Sequence, residues 1–206
     1  DEPLSALDAR LRRNMQLELK RLQRDLNITF IFVTHDQDEA LSMSDRVVVM
    51  QDGLIAQIGT PQEVYEEPTN LYVAKFIGEI NLFPGVVTAH PGPDNLEITF
   101  LGHTVVVHKR QKLPIGQPVQ ILLRPEDLRL AEDIPEDMPS LTGSVVERSY
   151  RGSTLDTTIQ LNAGPLVRAC EFFDEDDPDF DYRVGEKVNV SWVKGWEVIL
   201  PDEDYE

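Results

Sequence analysis

Two carboxylates stand side by side at Asp1-Glu2. Pro3 and the run Leu4-Ser5-Ala6-Leu7-Asp8 follow them, and an imidazole appears further on at Thr34-His35-Asp36. Brought together, two carboxylates and an imidazole suit phosphoryl chemistry. One carboxylate can hold Mg²⁺, usually through water, because Mg²⁺ keeps several of its waters. The other can orient or deprotonate an attacking water. The imidazole can contact a terminal phosphate and sense its loss. Taken singly, each has a simpler reading: a terminal Asp-Glu is a solvated charge pair, and a histidine after a strand is a surface or capping residue. The combination is what carries the specificity.

Convergence needs elements that bring these residues to one place. Leu7, Leu11, Met15, Leu19, Leu22 and Leu26 recur at three- and four-residue steps, while Arg10, Arg12, Arg13, Lys20, Arg21 and Arg24 largely take the other faces. This spacing predicts an amphipathic helix over 8–26. Ile28 to Val33 is β-branched and aromatic without alternation, which suits a strand buried on both faces of a parallel sheet. With a strand ending just before Asp1, the whole would be one right-handed βαβ unit. Asp1-Glu2 and His35 would then emerge at the same carboxyl edge of the sheet, where α/β folds bind ligands.

Further along, Asp52-Gly53 between two apolar runs predicts a hairpin over 46–58. Thr60-Pro61-Gln62-Glu63 combines a capping box with proline at the first helical position, so a helix starts there and ends near Pro68. A second helix is expected from about Leu71 to Ile77, closing at Gly78. The character changes near residue 80. Short alternating or β-rich runs follow at 84–89, 95–100, 103–108, 118–124, 141–150, 154–161, 164–171, 187–193 and 196–200. Gly and Pro punctuate them at hairpin-like intervals, the pattern of an all-β sandwich or barrel. Two domains are therefore expected, 1–80 and 81–206.

The 206 residues carry a formal charge of −18. Residues 1–80 hold 14 acids and 8 bases, net −6; the remainder holds 23 acids and 11 bases, net −12. Such a balance argues against a nucleic-acid partner, including for an OB-type barrel, because phosphate binding wants a basic face. It is compatible with a cationic ligand. The single cysteine, Cys170, allows no internal disulfide and fits a reducing compartment. No apolar run approaches the ~18–20 residues of a membrane span. Leu123-Arg124-Pro125-Glu126-Asp127 reads as a strand exit, and Trp192 and Trp196 as core residues of a last hairpin.

As a set these residues resemble the C-terminal part of an ATP-binding cassette transporter ATPase. By that resemblance Asp1 matches the end of the Walker B strand and holds Mg²⁺ through water, and Glu2 matches the catalytic glutamate. Ser5-Ala6-Leu7-Asp8 matches the D-loop; Ser5 and Asp8 would reach the nucleotide site across a homodimer. His35 matches the switch histidine. Asp38-Glu39-Ala40, Asp45-Arg46, Gly59-Thr60-Pro61 and Phe76-Ile77-Gly78 fit the same family, and Leu123 to Asp127 fits the importer-type C-terminal β domain. The resemblance implies ATP and Mg²⁺ as cofactors, membrane permease subunits as partners and a position on the cytoplasmic face of the inner membrane. It implies an α/β fold, the second half of a P-loop nucleotide-binding domain, followed by an all-β OB-like barrel with a regulatory role. The Walker A loop, the Q-loop and the signature loop are not among the 206 residues. No ATPase activity is expected of these residues by themselves.

Seven acids fall between 171 and 181: Glu171, Asp174, Glu175, Asp176, Asp177, Asp179 and Asp181. Phe172, Phe173, Phe180 and Tyr182 interleave with them. One reading is a solvated loop anchored by its aromatics. An EF-hand is disfavoured, because Asp179 stands where glycine is needed and Gly185 where a bidentate glutamate is needed. A polyamine sensor is a further reading: clustered carboxylates pair with ammonium groups, and aromatic faces hold them and the methylenes between. The run, with Trp192 and Trp196-Glu197-Val198, resembles the polyamine-importer branch of the family. Importers of a sugar or a metal-chelate anion are the alternative within the class. A non-catalytic regulatory or dimerisation module is the alternative outside it.

Overall fold

The computed structural model describes residues 7–108, 113–135, 138–162, 164–173 and 182–202. The chain divides into two compact units, Asp1–Gly78 and Glu79–Glu206.

In the first unit, helix α1 spans Ala9–Leu26. Asp8 caps it: its Oδ1 accepts the N–H groups of Arg10 at 3.1 Å and Leu11 at 2.9 Å, two of the donors that a helix start leaves without partners. Asn27, left-handed at φ 51°, closes the other end. Helix α2 runs Gln37–Met43. Strands β1 (Val47–Gln51) and β2 (Leu54–Gly59) pair antiparallel. Their turn, Asp52-Gly53, is left-handed at both residues, φ 49° and 80°, the geometry that Asp-Gly supplies at low cost. Helices α3 (Pro61–Glu66) and α4 (Leu71–Ile77) follow. The capping box of α3 is reciprocal. Thr60 N–H donates to Glu63 Oε2 at 2.7 Å, and Glu63 N–H donates to Thr60 Oγ1 at 3.2 Å. The Thr60 backbone bond holds the Glu63 carboxyl below its usual range. Val47, Val49, Val64, Val73 and Ile77 form the small core of this unit.

The expected strand at 28–33 is not a strand here. Residues 28–34 pair in no ladder, Ile31 is 91% exposed, and Phe30 and Val33 are also exposed. A parallel strand exists only through its neighbours, because its N–H and C=O groups need partners on adjacent strands. The described residues of this unit offer none. The α/β layering read from the sequence is corrected accordingly: this unit shows helices and one two-stranded antiparallel sheet. The apolar stripe of α1 is uncovered for the same reason, with Leu11, Leu22 and Leu26 exposed.

The second unit is all β. One five-stranded antiparallel sheet has the order β12-β6-β3-β4-β5, built from β3 (Asn81–Gly92), β4 (Asn95–Phe100), β5 (His103–His108), β6 (Pro118–Leu123) and β12 (Val198–Pro201). The other has the order β10-β9-β8-β11-β7, built from β7 (Arg129–Ala131), β8 (Ser140–Tyr150), β9 (Thr154–Leu161), β10 (Leu166–Phe172) and β11 (Lys187–Ser191). Alternation sets the buried faces: Leu96, Ile98 and Phe100 on β4, Leu155, Ile159 and Leu161 on β9. Both sheets feed one core that includes Phe83, Phe100, Ile121, Ile159, Val190 and Trp192. Gly143 on β8 is required by close approach: a Cβ there would lie 2.6 Å from Gln160 O and 2.6 Å from Ile159 Cγ2.

Two expectations are corrected in this unit. Trp192 and Trp196 do not sit on a hairpin, because β11 and β12 belong to different sheets. Trp192 is fully buried, whereas Trp196 is 48% exposed. Strand β7 is an addition, three residues long, held at the edge by β11. Asn81 also joins the two sheets. From β3, its amide accepts Arg168 N–H at 2.7 Å and donates to Arg168 O at 2.8 Å, extending edge strand β10 by one rung.

Candidate functional site

The turn that carries His35 is built by its neighbours. Asp36 is the N-cap of α2, its Oδ1 accepting Glu39 N–H at 3.1 Å. Thr34 Oγ1 accepts Asp36 N–H at 3.0 Å and donates to Glu39 Oε2 at 2.8 Å. Arg12 reaches over from α1. Its Nη1 donates to Asp36 Oδ2 at 3.2 Å, its Nη2 donates to Leu7 O at 3.2 Å, and its Nε lies 3.7 Å from Glu39 Oε1. Glu39 is 3% exposed. A carboxylate so placed needs a counter-charge and hydrogen bonds, which Arg12 and Thr34 supply. His35 itself is exposed, held between two anchored residues.

Of the residues assigned to nucleotide chemistry, the structure places Asp8 and His35. Asp8 spends one oxygen on the α1 cap. Asp1, Glu2 and Ser5 lie outside the described residues.

In the β unit, Pro125–Asp127 forms a short 3-10 turn at the exit of β6. Arg124 N–H donates to Asp127 Oδ2 at 3.0 Å, and Asp127 N–H donates back to Arg124 O at 3.0 Å. Burial pushes the Asp127 carboxyl above its usual range, against the Arg124 hydrogen bond that pulls it down. The folded state therefore binds the proton more tightly than the unfolded one. Ionised Asp127 weakens the fold at neutral pH, and acidification through its raised pKa relieves that. Asp127→Asn, which keeps an acceptor oxygen, is expected to raise Tm at pH 7. The gain should shrink as pH falls towards 4, as thermal melts across that range would show.

The acidic run separates into two parts. Glu171 ends the inward face of β10, buried, and its Oε1 accepts Leu130 N–H at 3.0 Å, tying β10 to β7. Its carboxylate has a structural task. Asp174, Glu175, Asp176, Asp177, Asp179 and Asp181 lie outside the described residues. At the edges of that segment, Phe172 is 81% exposed, Phe173 packs edge-on to Tyr150 at 4.8 Å, and Tyr182 is buried. Cys170 lies on β10; burial first, then the neighbouring Asp156, push its thiol pKa up, which disfavours the reactive thiolate. Among the described residues no cluster of His, Cys, Asp or Glu is placed to hold a metal ion. No helix among them is long and apolar enough to cross a membrane.

Residues 121–200 match the TOBE domain family. The spermidine/putrescine import ATP-binding protein of Marinobacter nauticus is 59% identical over 205 residues, covering 98% of this chain and 54% of that protein. The chain is homologous to the spermidine/putrescine import ATP-binding proteins. Those of Nitratidesulfovibrio vulgaris and Aliivibrio fischeri are 55% and 54% identical, again over 98% of this chain and 55% of each relative. The chain thus spans about half the length of the curated relatives it matches. Among solved structures, the cytoplasmic molybdate-binding protein ModG in its molybdate-bound form aligns with a TM-score of 0.51 at 18% identity, over 59% of this chain and 96% of that one. At that identity the likeness concerns fold alone, and it agrees with the all-β second unit.

In the sequence Arg12 is one base among several on the polar face of α1, and Glu39 stands in Asp38-Glu39-Ala40, a run that resembles the family. The signal lies in the spacing: Asp36 and Glu39 follow the histidine at one and four residues, so one caps α2 and the other falls on its first turn.

Proposed function

We propose that these residues belong to the ATP-binding subunit of a polyamine importer. The observation that carries this reading is 52–59% identity to the spermidine/putrescine import ATP-binding proteins over 98% of the chain. Residues 1–80 contribute to the ATPase domain and residues 81–206 form the regulatory β domain. Asp1 would hold Mg²⁺ through water, since a carboxylate is the hard oxygen donor that Mg²⁺ takes. Glu2 orients and deprotonates the attacking water, and His35 contacts the terminal phosphate. Ser5 and Asp8 act across a homodimer. Membrane permease subunits are the partners, and the cytoplasmic face of the inner membrane is the place.

For the acidic β unit, a polyamine is the cationic ligand best suited. The support is the run of six acids at 174–181 and the exposed Phe172 at its edge. One experiment tests both parts: ATP hydrolysis by the intact protein with its permease in vesicles, with spermidine inside or outside. Hydrolysis coupled to spermidine uptake, and inhibited by spermidine on the ATPase side, is expected. Hydrolysis stimulated by a sugar or a metal chelate instead would overturn the substrate assignment.

A further inference from the structure

We propose that Arg12 is a positioning residue that couples the start of α1, at Leu7-Asp8, to the turn carrying His35. The proposal rests on the ATPase reading above and deepens it. The guanidinium of Arg12 uses separate edges on separate segments: Nη2 on the Leu7 carbonyl, Nη1 on Asp36 Oδ2, and Nε towards Glu39 Oε1. Leu7 precedes α1 and Asp36 caps α2, so one planar group fixes the spacing between the residue before one helix and the start of the other. The partners on the histidine side are themselves locked. Thr34 and Asp36, the residues on either side of His35, both bond to Glu39, and Glu39 is buried. A displacement of the Leu7 carbonyl therefore moves a fork whose other prongs meet Asp36, beside His35, and Glu39, which holds Thr34 on the other side of it.

A plain surface ion pair would not need this arrangement. Exposed pairs contribute little and tolerate exchange of Arg for Lys. A fork with several acceptors does not, because an ammonium is a single point charge on a flexible stem. Arg12→Lys therefore keeps the counter-charge that buried Glu39 requires and removes the simultaneous grip. It separates positioning from stability.

In the intact protein, Arg12→Lys is expected to lower kcat for ATP by about tenfold or more, as small displacements from productive geometry do, with KM for ATP and Tm close to wild type. Amide hydrogen exchange supplies a readout that needs no ATPase. The N–H groups of Asp36 and Glu39, bonded to Thr34 Oγ1 and Asp36 Oδ1, should exchange about tenfold faster in Arg12→Lys, reporting local loosening of the turn. If wild type hydrolyses ATP while Arg12→Lys leaves kcat unchanged, the coupling is refuted, whatever the exchange rates. A fall in kcat explained by a lowered folded fraction refutes it as well. If wild type shows no ATP turnover, the functional reading fails, and unchanged exchange in Arg12→Lys refutes the coupling independently.

Discussion

Replacing Glu2 with Gln in the intact protein is expected to lower ATP turnover by about 10²–10⁴-fold, the range contributed by a positioned general base. Glutamine matches glutamate in shape and still accepts a hydrogen bond, so the attacking water keeps a partner. It cannot take the proton. On the proposed ATPase reading Asp1 would remain available to Mg²⁺, and the phosphate contacts of such an enzyme come chiefly from backbone N–H groups and a lysine, not from this carboxylate. Nucleotide affinity should therefore persist while hydrolysis stops. Phosphate release and retention of bound nucleotide, measured on one preparation, check both halves. Turnover within tenfold of wild type would assign the role to another group. Loss of nucleotide binding would instead place Glu2 in the binding of Mg²⁺.

How far the fold could be read from the residues depended on how local each signal was. The Asp52-Gly53 hairpin and the Thr60–Glu63 capping box were legible because each is completed within a few residues. Most strands of the β unit were legible from period-2 alternation, and 95–100, 103–108 and 154–161 agree to the residue. The apolar run at 28–33 misled because its composition describes an environment, burial between neighbours, which the run cannot create by itself. Pairings between distant segments were likewise illegible. Nothing local says that β12 pairs with β6 while β11 pairs with β7 and β8.

The candidate site divides in the same manner. Type and spacing single out His35 in the sequence, but the bonds that hold the turn around it join residues 24 apart, Arg12 and Asp36. Glu171 is the instructive case. Counting acids along the chain grouped it with Asp174 to Asp181. The alternation Val167, Ala169, Glu171, all buried on β10, puts it on the inward face instead. Where a charge count and a strand period disagree, the period reports which side of the sheet a residue faces, and that decides whether its charge meets solvent.

The largest loss of stability is expected at Trp192. Its ring is fully buried, tilted against Phe100 at 5.8 Å and edge-on to His103 at 6.4 Å. Its Nε1–H donates to Glu197 Oε1 at 2.7 Å, while Glu197 Oε2 accepts Gly195 N–H at 2.7 Å. The indole therefore fills the core and also satisfies a buried carboxylate beside the turn that leads into β12. Trp192→Ala empties the first role and abandons the second, at about 3–5 kcal/mol for the cavity alone. Trp192→Phe keeps much of the ring volume and leaves Glu197 Oε1 without its donor, at about 1–3 kcal/mol. The order Ala worse than Phe, and Phe worse than wild type, follows from the two roles being separable. Denaturant unfolding checks it, with fluorescence of the half-exposed Trp196 reporting the transition. A Phe variant as stable as wild type would mean that Glu197 does not depend on the indole. An Ala variant no worse than Phe would mean that the ring volume at the centre of this core carries little of its stability.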